Sequence, residues 1–196
     1  MFDIQDLIGS RHRLTKHLQQ RGIADHIEGV VRDVIIDRHD GAPARSKRSI
    51  EDVMVGESTY VDIKTRDINA DFSMPNLISV ERLRKLYSDP KNELVLIFVD
   101  YAVERNELFD VPANNWTFET YAVINSIEIR PIETIDWSCM HIQALGKGQL
   151  QLKNAANPIK LYRYSRLEWV DQLKAETLIF IDKQLVKLCK YRENWV

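Results

Sequence analysis

Hydrophobic positions along the chain change period several times, and each change predicts an element. Ile27, Val30, Val31, Val34 and Ile35 recur at i, i+3, i+4, i+7 and i+8, which predicts a helix over about 24–38 buried along one side. A looser stripe of Ile4, Leu7, Ile8, Leu14 and Leu18 predicts an earlier helix over about 2–20, with Gly22 as its stop. The period then drops to two. Ile50–Val55 and Tyr60–Thr65 alternate and are rich in β-branched residues, so they predict two strands joined by a turn at 56–59. Val80, Leu83, Leu86 and Tyr87 predict a short helix, and the unbroken apolar run Leu94–Val99 a strand covered on both faces. Further strands are predicted over Phe118–Ile124, Ser126–Ile135, Met140–Ala144 and Leu150–Leu152, with a turn at 145–149. Ser165-Arg166-Leu167-Glu168 reads as a capping box that opens a last helix running to about Lys190. This order of helix, hairpin, helix and strands predicts an α/β fold with a mixed sheet.

Composition narrows the class. At 196 residues, 44% hydrophobic and 29% charged, the chain suits a single globular domain rather than a disordered or fibrous protein. Apolar runs are too short to span a membrane, and the two cysteines, Cys139 and Cys189, match neither a metal motif nor a disulfide framework. With no signal-peptide pattern, a cytoplasmic location is expected. A formal charge of −2 argues against a purely electrostatic nucleic-acid binder but not against a locally basic cleft.

The hairpin carries the chemistry. Tyr60, Asp62 and Lys64 share one face of the second strand, while Val61, Ile63 and Thr65 share the other. Charges beside an apolar face are costly without partners. Asp52, on the neighbouring strand, comes alongside Asp62 if the hairpin is slightly offset. Two carboxylates and a carbonyl oxygen form a hard oxygen site suited to Mg²⁺ with retained waters, with Mn²⁺ as a substitute. A lysine beside that site can orient or deprotonate an attacking water, or steady charge developing on a phosphate. Such parts hydrolyse phosphodiesters. The plainer reading is an Asp–Lys ion pair on a solvated face, worth about 0–1 kcal/mol.

The stretch from Asp62 to Ser79 resembles, without a gap, the catalytic strand and following loop of HincII-like type II restriction endonucleases in the PD-(D/E)XK nuclease superfamily. Two patches carry the resemblance: Asp62-Ile63-Lys64-Thr65-Arg66 and Pro75-Asn76-Leu77-Ile78-Ser79. Weaker similarity extends from Ile135-Asp136-Trp137-Ser138 through Ile142-Gln143, and over Ser165–Trp169. The resemblance implies a restriction-endonuclease-like mixed β-sheet flanked by helices, in one endonuclease domain over 1–196. Within it lie N-terminal helices (1–40), a catalytic hairpin (50–65), a DNA-contact loop (66–79) and a C-terminal helix (165–190). It also implies Mg²⁺-dependent, sequence-specific cleavage of double-stranded DNA by a homodimer. In that pattern Asp52, Asp62 and the Ile63 carbonyl hold the metal, and Lys64 sits by the attacking water. Glu28, on the helix over 24–38, stands beside the metal cluster; otherwise it is a surface partner of Arg32. The first acid departs from the pattern, lying in Ile50-Glu51-Asp52 rather than after proline and closer to Asp62. Glu51 therefore competes with Asp52.

Other side chains are candidates for DNA contact. Arg45 and Arg48 lie just upstream of the hairpin and suit phosphates, or simply solvent. Arg66, Asn69, Ser73 and Asn76 lie in the following loop. Asn76 suits a base edge because its amide donates and accepts at once, although Pro-Asn also makes caps and turns. His141 and Gln143 alternate onto one face and are further candidates. Two alternatives remain: a repair or recombination nuclease of the same fold, which would be more basic, and a catalytically inactive DNA-binding module, which would lack an acid or the lysine.

Overall fold

The computed structural model describes residues 2–14, 20–46, 49–70, 76–110, 115–143, 148–153, 159–162 and 165–193. The protein is α/β, as the order of predicted elements requires. By their contacts the residues group into two compact units, one of Met1–Phe72 with Leu94–Arg130, the other of Ser73–Glu93 with Pro131–Val196.

The first unit is a sheet with a helix. Its strands are β1 (Arg11–Leu14), β2 (Gly41–Pro43), β3 (Val53–Val55), β4 (Thr59–Asp67), β6 (Glu93–Asp110) and β7 (Asn115–Pro131). They lie in the order β1-β7-β6-β4-β3-β2, and the β1–β7, β2–β3 and β3–β4 pairs are antiparallel. Helix α1 (Gln20–His39) packs on β2, β3 and β4. Its stripe behaves as predicted: Ile27, Val31 and Ile35 are fully buried against Val53, Val61, Ile63, Ile97, Val99 and Ile124. Full burial of such side chains is worth about 1.5–3 kcal/mol each, which fixes α1 against the hairpin.

The N-terminal helix predicted over 2–20 does not form across 2–14. Ile4 and Leu7 reach the core from a short 3-10 turn, Gln5–Leu7. Gly9 then adopts a φ of 85°, and its N–H donates to the Ile124 carbonyl at 2.8 Å. Pairing with β7 gives Arg11–Leu14 the backbone hydrogen bonds that a weakly amphipathic helix would have had to supply alone. Gly22, expected as a stop, lies inside α1. The two strands predicted on either side of Asn125 are one continuous strand, β7. Its buried positions change parity between Ile124 and Ile127.

The second unit is built on β5 (Asn76–Ser79), β8 (Met140–Gln143) and β9 (Gln149–Leu152), in the order β5-β9-β8 with antiparallel pairs. Leu77, Ile78, Leu150, Leu152 and Met140 are buried, and so is Gln151 between the two leucines of β9; the register shifts between Asn76 and Ile78. Helix α2 (Val80–Leu86) follows β5 directly and buries Val80, Leu83 and Leu86. The capping box of α3 (Arg166–Glu193) forms as predicted, with the Ser165 N–H donating to Glu168 at 2.8 Å and the Glu168 N–H donating to Ser165 Oγ at 3.3 Å. Among the described residues no helix is long and apolar enough to cross a membrane.

Candidate active site

The β3–β4 hairpin sets the site. Its register pairs Val53 with Val61, Met54 with Tyr60 and Val55 with Thr59. Beyond Val53 the ladder slips by one residue, since both Val53 and Asp52 face Val61, which is the slight offset expected from the sequence. Two backbone-directed bonds hold Asp52 there. Its N–H donates to the Val61 carbonyl at 2.8 Å, and its Oδ2 accepts the Ile63 N–H at 2.7 Å. Val61 and Ile63 enter the core, which turns Asp62 and Lys64 to the other face as alternation predicts.

Lys64 Nζ donates to Asp62 Oδ1 at 2.8 Å and lies 2.7 Å from Oδ2. The Oδ2 contact is too poorly angled for a hydrogen bond, so this buried oxygen keeps an unused acceptor position. Only 6% of Asp62 is exposed. Burial pushes its carboxyl up to about 7, against the pull of Lys64 and with a further push from Asp52. Glu28, on α1, is also held up at about 7, chiefly by burial and next by the negative charge of Asp52, while Lys64 acts in the opposite sense. Three carboxylates and one lysine, from β4, the residue just ahead of β3 and α1, therefore share one electrostatic neighbourhood. Glu51, next to Asp52 in the chain, is buried too.

A carboxylate held up by another carboxylate is short of positive charge. Asp52, Asp62 and the Ile63 carbonyl, which leaves the strand on the same edge as the Ile63 N–H, have the chemistry of a hard divalent-cation site. Among the described residues no three acidic, histidine or cysteine side chains close around one point.

The other predicted residues divide between the units. Arg66 lies within β4 rather than in a loop, and its Nε and Nη2 donate to Asp100 Oδ1 and Oδ2 at 2.7 and 2.6 Å. Asn69 is exposed in the turn after β4, where its N–H donates to Asp67 Oδ1 at 3.0 Å. Arg45 is exposed ahead of the hairpin. Arg48 and Ser73 lie outside the described residues. Asn76, His141 and Gln143 belong to the second unit. There Asn76 pairs across to Gln151, Gln151 to His141, and Gln143 to Gln149. The DNA-contact loop expected over 66–79 is therefore strand at both described ends, because Arg66–Asp67 extend β4 and Asn76–Ser79 form β5.

Sequence reasoning missed Asp100 and Ser126. Asp100 was legible only as the first polar residue after the apolar run 94–99, and that position in β6 brings it to Arg66. Ser126 donates to Asp100 Oδ2 at 3.1 Å. Its only trace was the break read at Asn125, where the buried parity of β7 shifts and turns the serine towards Asp100. In comparisons with known proteins, no family model and no curated protein matches the chain.

Proposed function

We propose that the protein is a Mg²⁺-dependent endonuclease that hydrolyses phosphodiester bonds of double-stranded DNA at specific sequences. The observation that carries this reading is the convergence of Asp52, Asp62 and Glu28 on Lys64, with Asp62 Oδ2 buried and without a hydrogen bond. The resemblance of the Asp62-Ile63-Lys64-Thr65-Arg66 stretch to type II restriction enzymes points to the same chemistry.

Asp52, Asp62 and the Ile63 carbonyl would hold Mg²⁺, which when bound supplies charge stabilisation for the pentavalent phosphate and makes water more acidic. The chain's own groups do the rest. Lys64 is anchored through Asp62 Oδ1 and holds two more N–H bonds for the attacking water or a phosphate oxygen. Glu28, raised to about 7, can exchange a proton with that water near neutral pH. The hairpin and α1 are fixed by the core, so these groups are placed before substrate arrives.

Base reading is assigned to polar residues of the second unit, Asn76, His141 and Gln143. Palindromic recognition by a two-fold dimer completes the reading. For that contact α3 exposes Leu178, Ile181, Leu185 and Leu188 at heptad spacing. The complete reading is tested by incubating the purified protein with plasmid DNA and Mg²⁺ or Mn²⁺, then sequencing the ends. Discrete double-strand cuts at one short sequence are expected. Intact DNA with either ion, over a library covering all short sites, would sink it.

A further inference from the structure

Arg66 and Asp100 form a pair whose geometry is more specific than strand-to-strand attraction requires. The carboxylate takes the guanidinium side-on, through Nε and Nη2, at 2.7 and 2.6 Å. It is itself braced by Ser126 at 3.1 Å. These bonds raise the arginine further above its ordinary value. A side-on carboxylate leaves the end-on edge of the fork, Nη1 with the second Nη2 hydrogen, directed outward, the edge that takes two oxygens of a phosphate.

The position of the pair matters as much as its shape. Asp62, Lys64 and Arg66 alternate onto one face of β4, so Arg66 follows Lys64 by about 6.7 Å along the strand. Phosphates on one DNA strand recur about every 3.4 Å of helix axis, so a phosphate close to the one at Lys64 falls within reach of Arg66. Side chains from three neighbouring strands, β4, β6 and β7, build the arrangement, and the shift of parity in β7 brings Ser126 into it.

We infer that Arg66 holds a DNA phosphate flanking the scissile one, and that Asp100 and Ser126 are positioning residues that aim it. This rests on the nuclease reading above. It makes a counter-intuitive demand. By charge alone, Asp100→Asn removes a repulsive group and should tighten DNA binding. By positioning, it frees the guanidinium and should weaken binding.

The test measures duplex affinity in a Lys64→Ala background and kcat and KM in the active protein, with thermal melting as the folding control. Arg66→Gln should weaken binding roughly ten- to a hundredfold and lower the slope of log affinity against log salt by about 1. Asp100→Asn should weaken binding by roughly tenfold and mainly raise KM, with partial rescue in Asp100→Glu. Ser126→Ala, an exposed change that leaves the fold intact, should weaken it by about two- to fivefold. Unchanged or tighter binding in both Asp100→Asn and Ser126→Ala overturns the inference while a cutting wild-type protein keeps the nuclease reading. Should Asp100→Asn fail to fold, Ser126→Ala and the salt slope of Arg66→Gln decide. A wild-type protein that neither binds nor cuts DNA overturns both.

Discussion

Each unit buries a carboxylate beside a cation, and the two clusters differ in what holds the cation. In the first, Asp62 meets Lys64 in the company of two more acids, Asp52 and Glu28. In the second, Glu133 meets Arg166 at 3.2 Å, and burial again raises the acid. There the surroundings are aromatic and backbone. The Arg166 guanidinium lies 4.7 Å over the Tyr87 ring, donates to the Pro90 carbonyl at 3.1 Å and also to that of Asn92. Tyr87 in turn stacks edge-on with Trp169, which is fully buried. Glu133 neutralises an arginine that pins the start of α3 to the turn after α2, with Glu93 as a second acid nearby. A raised carboxylate is therefore not by itself a site. Asp52 and Lys64 act on both Asp62 and Glu28, whereas Arg166 is held by a ring and two carbonyls; on the proposed reading the first cluster serves chemistry and the second structure.

The sharpest way to break this contrast is to mutate both clusters. Asp62→Ala and Lys64→Ala should lower cleavage by roughly a thousandfold or more per folded molecule while leaving specific DNA binding close to wild type. Asp52→Asn should do likewise and Glu51→Gln should not. The reverse pattern would move the first ligand to Glu51. Near-normal cutting by Lys64→Ala would remove the distinction altogether.

Arg166→Ala should show the opposite profile. It leaves Glu133, 8% exposed, without its cation, at a cost of roughly 2–4 kcal/mol in unfolding free energy. Activity per folded molecule should hold at temperatures well below melting. A variant that melts normally but does not cut would mean that the second cluster also serves the reaction.

Specificity gives a smaller effect. Asn76→Ala should reduce cleavage of the cognate site by roughly ten- to a hundredfold and of other sites much less, because a paired contact to a base edge is worth about 1–3 kcal/mol. Competition cleavage of cognate and one-base-altered duplexes measures it. Equal loss on every sequence would make Asn76 a strand-end residue and pass base reading to His141 and Gln143.

The smallest effect is in pH. Asp62 and Glu28 sit near 7 in the fold, above their ordinary values of 3.8 and 4.5. Folding therefore favours their protonated forms. The stability this gives is complete below about pH 4 and is lost as pH rises through about 7. Divalent-cation binding needs the ionised forms, so added Mg²⁺ should raise the melting temperature by a few degrees at pH 8 and hardly at all at pH 5.5. Equal stabilisation at both values would place the cation elsewhere.

The amino-acid sequence by itself determined what local periodicity can carry. The stripe Ile27–Val31–Ile35 specified α1, and alternation placed Asp62 and Lys64 on one face. The box at Ser165 and Glu168 set the start of α3. These depend on spacings of two to four residues, which the backbone enforces whatever surrounds it. Tertiary structure decided whatever depends on distant neighbours. Residues 11–14 became a strand because β7 offered them an edge, and a weak helical stripe could not compete with those hydrogen bonds. Asp52, rather than its neighbour Glu51, accepts the Ile63 N–H because the pairing of two distant segments carries its side chain there. Arg66 met Asp100 and Ser126, thirty-four residues on and further, only because β4, β6 and β7 are neighbours in one sheet. Such contacts leave no period in the chain, since the energy that selects them is shared between segments and belongs to neither.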